Sequence, residues 1–306
     1  MRIVFMGTPE FAVESLRALV ENGCDVVGVV TMPDKPAGRG HKIQYSAVKQ
    51  YALEKNLPIL QPEKLKDTDF LEQLRSWQAD VQVVVAFRML PEVVWAMPPR
   101  GTFNLHASLL PKYRGAAPIN WAIINGEIET GATTFFLTHE IDTGNIILQK
   151  KINIPYYYNA GNLHDELMHT GATLVLQTIK LIENGDVKTS KQAEVENLKL
   201  APKIFKENCK LDFSLSCEYL HNFVRGMSPY PAAYFDFEHN SSVAVMKVFE
   251  TEKEITSHNN HLGKIIIDKK SMKIAVKDGF LHLKSVQLAG KKRMNIDEFL
   301  RGMKIN

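Results

Sequence analysis

The 306-residue sequence predicts an α/β domain built on a mostly parallel sheet, followed by a small β-barrel domain of the OB type. Three observations predict it. The length exceeds the roughly 100–150 residues typical of one domain, so two domains are expected. The first two-thirds of the chain alternates valine-rich runs with helical patterns, the signature of βαβ units. The last third holds only short alternating runs separated by polar turns.

Taken in order, residues 1–6 form an apolar strand apart from Arg2, broken at Gly7-Thr8-Pro9, where Thr8 can cap a helix and Pro9 suits its first turn. Residues 10–22 read as an amphipathic helix closed by Gly23, and 25–31 (DVVGVVT) as a second buried strand. Residues 32–45 form a long polar loop. A helix at 46–55, strands at 80–87 and 102–106, a helix at 116–125 and strands at 131–138 and 146–154 follow. The helix 162–184 carries Leu163, Leu167, Gly171, Leu174, Val175, Thr178 and Ile182 on one face, and Gly185 ends it. The stretch 186–205 is polar and contains Pro202. We therefore expect an N-terminal domain over 1–189, a linker over 190–205 and a C-terminal domain over 206–306. In the latter, a helix at 216–227 precedes Pro229 and Pro231, and runs at 233–237, 242–250, 264–267, 272–276 and 280–288 supply five short strands. Their number fits a small barrel.

Hydrophobic residues make up 45% and charged residues 23%, which disfavours a disordered chain. Neither a secretory leader nor a stretch of about 18 apolar residues is present, so a cytoplasmic protein with no membrane partner is expected. The three cysteines, Cys24, Cys209 and Cys217, fit neither a disulfide framework nor a CxxC metal site. Of 37 Lys+Arg and 34 Asp+Glu, residues 1–205 hold 21 and 22 and residues 206–306 hold 16 and 12, giving −1 and +4. A basic domain appended to a neutral one suits a nucleic-acid partner, and an ordinary solvated surface gives the same count. Gly7-Thr8-Pro9 lacks the second and third glycines of a G-x-G-x-x-G turn, which disfavours NAD. His164 and His169 are five apart, off the spacing of a helical zinc pair.

The residues best able to carry chemistry lie in 102–124, TFNLHASLLPKYRGAAPINWAII. On the expected strand, Asn104 and His106 alternate with Phe103 and Leu105, so a period of two turns both polar side chains to one face near the carboxyl edge, where open parallel sheets bind ligands. An amide beside an imidazole can donate to a developing oxyanion and exchange a proton near neutral pH. An Asn and a His that merely satisfy backbone groups fit the same spacing. Proton transfer from an attacking amine also needs a carboxylate, and the loop THEIDTG (138–144) supplies three ionisable candidates, His139, Glu140 and Asp142. Asp142 is the best placed to be held and partly desolvated, although an Asp before Thr-Gly equally forms a turn.

The string Asn104-Leu105-His106-Ala107-Ser108-Leu109-Leu110-Pro111, continued by Tyr113-Arg114-Gly115-Ala116-Ala117-Pro118, resembles the signature of the folate-dependent formyltransferases, and Ile141-Asp142-Thr143-Gly144 matches it too. Gly7-Thr8-Pro9-Glu10-Phe11-Ala12, Pro33-Asp34-Lys35-Pro36-Ala37-Gly38-Arg39-Gly40 and, near the end, Asp278-Gly279, Gln287, Gly290-Lys291-Lys292-Arg293-Met294, Phe299 and Arg301-Gly302 resemble the branch of that superfamily that acts on charged tRNA. The resemblance covers nearly the whole chain. It implies a Rossmann-like catalytic domain and a C-terminal barrel that helps to bind tRNA. The implied reaction moves the formyl group of 10-formyltetrahydrofolate, the co-substrate, to the α-amino group of initiator methionyl-tRNA, with no metal. Asn104, His106 and Asp142 are implied as the catalytic residues, the first two stabilising an oxyanion and Asp142 holding His106 or a proton-relaying water.

The same resemblance places folate against Ser108, Leu109, Leu110 and Pro111, and against Arg88, Met89 and Leu90 in a turn shorter than the family's usual Ala-Tyr-Gly form. It places tRNA against Lys35, Arg39 and Lys42 in the 32–45 loop, with Arg39 the strongest contact, and against Lys291, Lys292 and Arg293 in the C-terminal domain. A monomer is expected. Two alternatives remain: an amino-sugar N-formyltransferase, which would share the three catalytic residues and the folate site, and a non-catalytic RNA-binding protein, against which the intact trio argues.

Overall fold

The computed structural model describes residues 1–37, 42–239 and 242–303. In chain order its elements are β1 (Arg2–Gly7), α1 (Glu10–Glu21), β2 (Asp25–Val30), β3 (Lys35–Ala37), β4 (Lys42–Gln44), α2 (Ala47–Glu54), β5 (Ile59–Leu60), α3 (Thr68–Ser76), β6 (Val81–Val85), α4 (Glu92–Trp95), β7 (Thr102–His106), α5 (Pro118–Ile124), β8 (Glu129–Phe136), β9 (Ile146–Asn153) and α6 (Ala160–Asn184). They continue with a 3-10 turn (Lys206–Cys209), α7 (Cys217–Met227), β10 (Ala233–His239), β11 (Ser242–Ile255), β12 (Ile265–Ile267), β13 (Met272–Val276), β14 (Gly279–Leu288), β15 (Met294–Asn295) and α8 (Ile296–Gly302).

The chain divides into two compact units that are discontinuous in sequence. One comprises Met1–Gly115, Thr130–Ile152 and His164–Lys199; the other comprises Ala116–Glu129, Asn153–Leu163 and the chain from Leu200. In the first, seven strands run β5-β2-β1-β6-β7-β8-β9. β5, β2, β1, β6 and β7 are mutually parallel, and β8 reverses direction against β7. Helices cover both faces, as the Val-rich, doubly buried strands require. Val4, Met6, Val30 and Val84 pack with Phe70, Leu74 and Val94 of α3 and α4. On the opposite face α6 comes so close that a Cβ at Gly171 would lie 2.6 Å from Leu105 Cδ2.

The segment 32–45, expected as a loop, contains a short antiparallel ribbon in which Lys35 faces Gln44 and Ala37 faces Lys42. Three-residue strands bearing Pro36 give no alternation from which pairing could be read, and such a ribbon is marginal alone. Its base is tied to the sheet: Lys49 Nζ donates to Asp34 Oδ2 at 2.5 Å and to Gln61 Oε1 at 2.8 Å, and Gln61 Nε2 donates to Met32 O at 2.8 Å. The Lys49 hydrogen bond, then that of Gln61, holds the Asp34 carboxyl below its ordinary pKa. Arg39 lies outside the described residues.

The second unit is an antiparallel half-barrel in the order β10-β11-β14-β13-β12, with β15 on β14. Its core joins Phe235, Met246, Val248, Ile274, Leu281 and Val286 to Leu220 and Val224 of α7 and Phe299 of α8. α5 packs on α7 through Gly226, where a Cβ would meet Ile124 Cγ1 at 2.5 Å. Among the described residues no helix is long and apolar enough to cross a membrane.

Candidate active site

Period two does bring Asn104 and His106 to one face of β7, the face they share with their register neighbours Val84 and Phe135. His106 is buried, and its Nε2 lies 2.8 Å from the carbonyl oxygen of Tyr113. A carbonyl only accepts, so that contact fixes the proton of neutral His106 on Nε2 and leaves Nδ1 as the free position. Nδ1 faces Asp142 Oδ2 at 3.9 Å, longer than a hydrogen bond. The Asn104 carboxamide is half-buried and has no hydrogen-bond partner among the described residues.

Asp142 does not arrive as it would after a parallel strand. Because β8 is antiparallel to β7, its end, Phe136, lies opposite Phe103 at the far end of β7 from His106. The loop after β8 must therefore turn back along β7, and it does so against the strand: Phe136 N donates to Asn145 O at 3.1 Å, and a Cβ on Gly144 would sit 1.7 Å from Phe136 O. Only glycine fits there. Asp142 itself adopts φ 57°, which few non-glycine residues do, and its side chain is 11% exposed. Its Oδ2 accepts from Gly115 N at 2.9 Å, and Gly115 has φ 125°, a value open to glycine. His139 and Glu140, the other ionisable residues of the loop, point elsewhere or outward: the His139 ring has Nε2 3.5 Å from Glu92 Oε1 and packs on Trp95, and Glu140 is exposed.

The expected folate residues divide. Ser108 is fully buried and its hydroxyl donates to Lys112 O at 2.6 Å, while Thr133 Oγ1 donates to Ser108 O at 2.6 Å. Leu110 is buried, with its N donating to Thr133 Oγ1 at 3.2 Å. Leu109 and Pro111 are half-buried. Ala86 follows β6 with φ 47° and opens the second turn. There the Arg88 guanidinium donates to the carbonyls of Pro62 and Glu63, with burial pulling its pKa down, Leu90 belongs to the core, and Met89 is 75% exposed.

The expected tRNA residues also divide. Lys35, Lys291 and Lys292 are exposed. Arg293 is tied into the half-barrel, donating to Ser285 Oγ at 2.8 Å and Glu250 Oε1 at 2.5 Å and lying 4.5 Å over the Phe249 ring. The backbone of Lys42 lies in β4. Sequence reasoning missed a cleft of about 400 Å³ in the second unit, lined by Lys203, Lys206, Lys247, Tyr230 and Tyr234 among others, because its lysines are scattered along the chain. It also missed Gln192, whose Nε2 donates to Asp142 O at 2.8 Å and Gly144 O at 2.9 Å and whose Oε1 accepts from Arg114. Among the described residues no three His, Cys, Asp or Glu side chains converge as a metal site would need.

Residues 1–179 match the formyl transferase family and residues 203–304 match the formyl transferase C-terminal domain. A methionyl-tRNA formyltransferase of Bacteroides thetaiotaomicron is 59% identical over 311 residues, spanning 100% of this chain and 97% of that protein. Among solved structures, the fold is similar to that of WlaRD, a sugar 3N-formyl transferase solved with dTDP and 5-N-formyl-THF, with TM-score 0.67, 21% identity and coverage of 95% and 99%. It is also similar to HypX from Aquifex aeolicus in complex with tetrahydrofolic acid, with TM-score 0.63, 17% identity and coverage of 98% of this chain and 47% of that one.

Proposed function

Because the chain belongs to the methionyl-tRNA formyltransferase family, an enzyme family that formylates methionyl-tRNA, we propose that the face carrying Asn104, His106 and Asp142 is where the group is transferred, from 10-formyltetrahydrofolate to the α-amino group of the initiator methionyl-tRNA. The observation that carries the assignment is the approach of His106 Nδ1 to Asp142 Oδ2 at 3.9 Å on the face that also carries the Asn104 carboxamide, which has no hydrogen-bond partner among the described residues. The folate carrier supplies a formyl carbon activated by its attachment to nitrogen. Everything else is the work of fixed side chains.

The Asn104 carboxamide donates to the formyl oxygen as negative charge gathers on it. His106, held through Nε2 by Tyr113 O, turns Nδ1 toward the reacting group, and the Asp142 carboxylate facing it stabilises positive charge that develops on the imidazole as the proton moves. Asp142 also draws the proton from the incoming amine, directly or through a water, and the His106–Asp142 pair returns it to the departing nitrogen. Burial strengthens each of these interactions relative to water. The folate site we assign to the two turns that flank β6 and β7. Leu109, Leu110, Pro111, Met89 and Leu90 contribute apolar surface there. Ser108 and Arg88 contribute through their backbone, since the Ser108 hydroxyl and the Arg88 guanidinium are engaged with protein carbonyls.

For tRNA, the exposed cations Lys35, Lys291 and Lys292 are the contacts we assign, with Lys42 and Arg39 of the 32–45 segment. Within the second unit, the cleft lysines Lys203, Lys206 and Lys247 add further positive charge for phosphate. An amino-sugar substrate is disfavoured by the contrast between 59% identity to a methionyl-tRNA formyltransferase and 21% to a sugar N-formyltransferase of the same fold. The direct test supplies 10-formyltetrahydrofolate with charged initiator tRNA in one vessel and with a dTDP-amino sugar in another. Formyl transfer to the sugar and not to the tRNA would overturn the proposal.

A further inference from the structure

We propose that Gln192, oriented by Arg114, is a positioning residue for the formyl transfer that holds the Asp142 loop in its active geometry; the proposal rests on the assignment of Asp142 above. Gln192 lies between the two regions that match the family, in the polar stretch whose composition suggested a connection. That stretch folds back on the site. Ser190 exchanges two backbone hydrogen bonds with Ile146, at 2.8 and 2.9 Å, and Lys199 O accepts from Tyr113 N at 2.7 Å. Residues 190–199 thus touch both loops that build the His106–Asp142 pair, the one ending in Tyr113-Arg114-Gly115 and the one around Asp142.

The need for a clamp follows from the topology. The loop after β8 runs back along β7, Asp142 sits at φ 57°, and among the described residues its carboxylate accepts a hydrogen bond from Gly115 N alone. A residue at such a φ persists only where its surroundings over-determine it. Gln192 provides that constraint. Its side chain is buried, and one nitrogen bonds the carbonyls on either side of Thr143, so the backbone direction at Asp142 and Gly144 is set together. Which end of the amide faces the loop is decided by Arg114, whose Nε and Nη2 both donate to Oε1, at 3.1 and 2.6 Å. A cation that can only donate forces the amide oxygen toward itself and the NH2 toward the carbonyls. Arg114 is adjacent to Gly115, so one short segment supplies both the donor to the Asp142 carboxylate and the group that orients its clamp.

The test is a double-mutant cycle on the full-length enzyme with formylation of charged initiator tRNA as readout. Gln192→Met keeps the volume and removes both donors. It should lower kcat by about 10- to 100-fold, as displacement of a reacting group by about 1 Å does, with KM for tRNA and for 10-formyltetrahydrofolate changed less than threefold. Gln192→Asn, which keeps the amide but retracts it, should give a smaller loss. In an Asp142→Asn background Gln192→Met should cost almost nothing further, because its effect passes through that carboxylate. An unchanged kcat in Gln192→Met, or losses that multiply in the double variant, would overturn the proposal, the latter by showing a general structural role. Should Asp142→Asn alone retain normal turnover, the assignment of Asp142 fails and this inference fails with it, an outcome distinct from the other two. If Gln192→Met does not fold, the same cycle is run with Gln192→Asn and Arg114→Met and the same criteria apply.

Discussion

Replacing Asp142 by Asn isolates the charge from the shape. The amide oxygen can still accept from Gly115 N, now at 2.9 Å from the carboxylate, so the loop keeps its anchor while the negative charge facing His106 disappears. With Nδ1 3.9 Å from Oδ2 and both side chains about nine-tenths buried, the attraction between imidazolium and carboxylate is about 4 kcal/mol at an effective dielectric of ~20. That is an upper bound, since part of it is offset by desolvation of the pair. At about 1.4 kcal/mol per decade the expected loss in turnover is roughly 10²- to 10³-fold. The assay is single-turnover formylation of charged initiator tRNA at saturating 10-formyltetrahydrofolate, with folate and tRNA affinity measured separately by calorimetry and expected to change less than threefold. Thermal stability should fall little, in contrast to Asp142→Ala, which also strips the partner from Gly115 N. A single-turnover rate within threefold of the native enzyme, with Asp142→Asn folded, would refute the reasoning.

The remaining predictions are of different kinds. Asn104→Ala should lower kcat by about 10² to 10³ with little change in either KM, as removal of one oxyanion donor does, and a purely KM effect would count against its assigned role. Gly144→Ala should cost about 3 kcal/mol or more in urea denaturation, because a Cβ 1.7 Å from Phe136 O forces the returning loop off β8. In the second unit, His221 is buried against Tyr156 and its pKa is pushed down to about 4, first by burial and then by Arg225 and Lys253. The unfolded chain binds a proton below its ordinary 6.5 that the folded chain refuses, so stability is lost as pH falls from 6.5 toward 4, by at most about 3 kcal/mol. Denaturation of the native protein and of His221→Leu across that range should show the slope flatten in the variant. Lys291→Ala with Lys292→Ala should weaken tRNA binding and reduce its salt dependence by at most about two units of slope, whereas Arg293→Ala should lower stability more than affinity, since its guanidinium is engaged by Glu250 and Ser285.

Local pattern was sufficient for what depends on local pattern. The strand at 102–106 and the polar face shared by Asn104 and His106 follow from a period of two, and the helices near 10–21, 47–54 and 217–227 follow from apolar spacing and from caps such as Ser46 and Ser216, whose hydroxyls accept from Lys49 N and Tyr219 N. The preference for Asp142 over His139 and Glu140 came from its apolar and glycine neighbours, and the structure buries Asp142 against His106 while leaving Glu140 exposed; the role proposed for the trio came from the family string around it. What the sequence could not state was direction and return. Period two is blind to whether a strand runs with or against its neighbour, so the reversal of β8 against β7, which makes the Asp142 loop double back, was not legible. Composition is equally blind to long-range capture: a polar stretch looks like a connection until Ser190 pairs with Ile146 and Gln192 finds two carbonyls 48 and 50 residues away. For the same reason α5 and residues 153–163 look continuous with the first domain in sequence, yet α5 belongs with α7 through Gly226, because a close helix contact is decided by which small residue meets it, wherever in the chain that residue lies. The sequence by itself determined most of the longer strands and helices and nominated the polar groups proposed to react; the tertiary structure decided which carbonyl, amide and carboxylate surround those groups, because hydrogen bonds between distant segments leave no periodic trace.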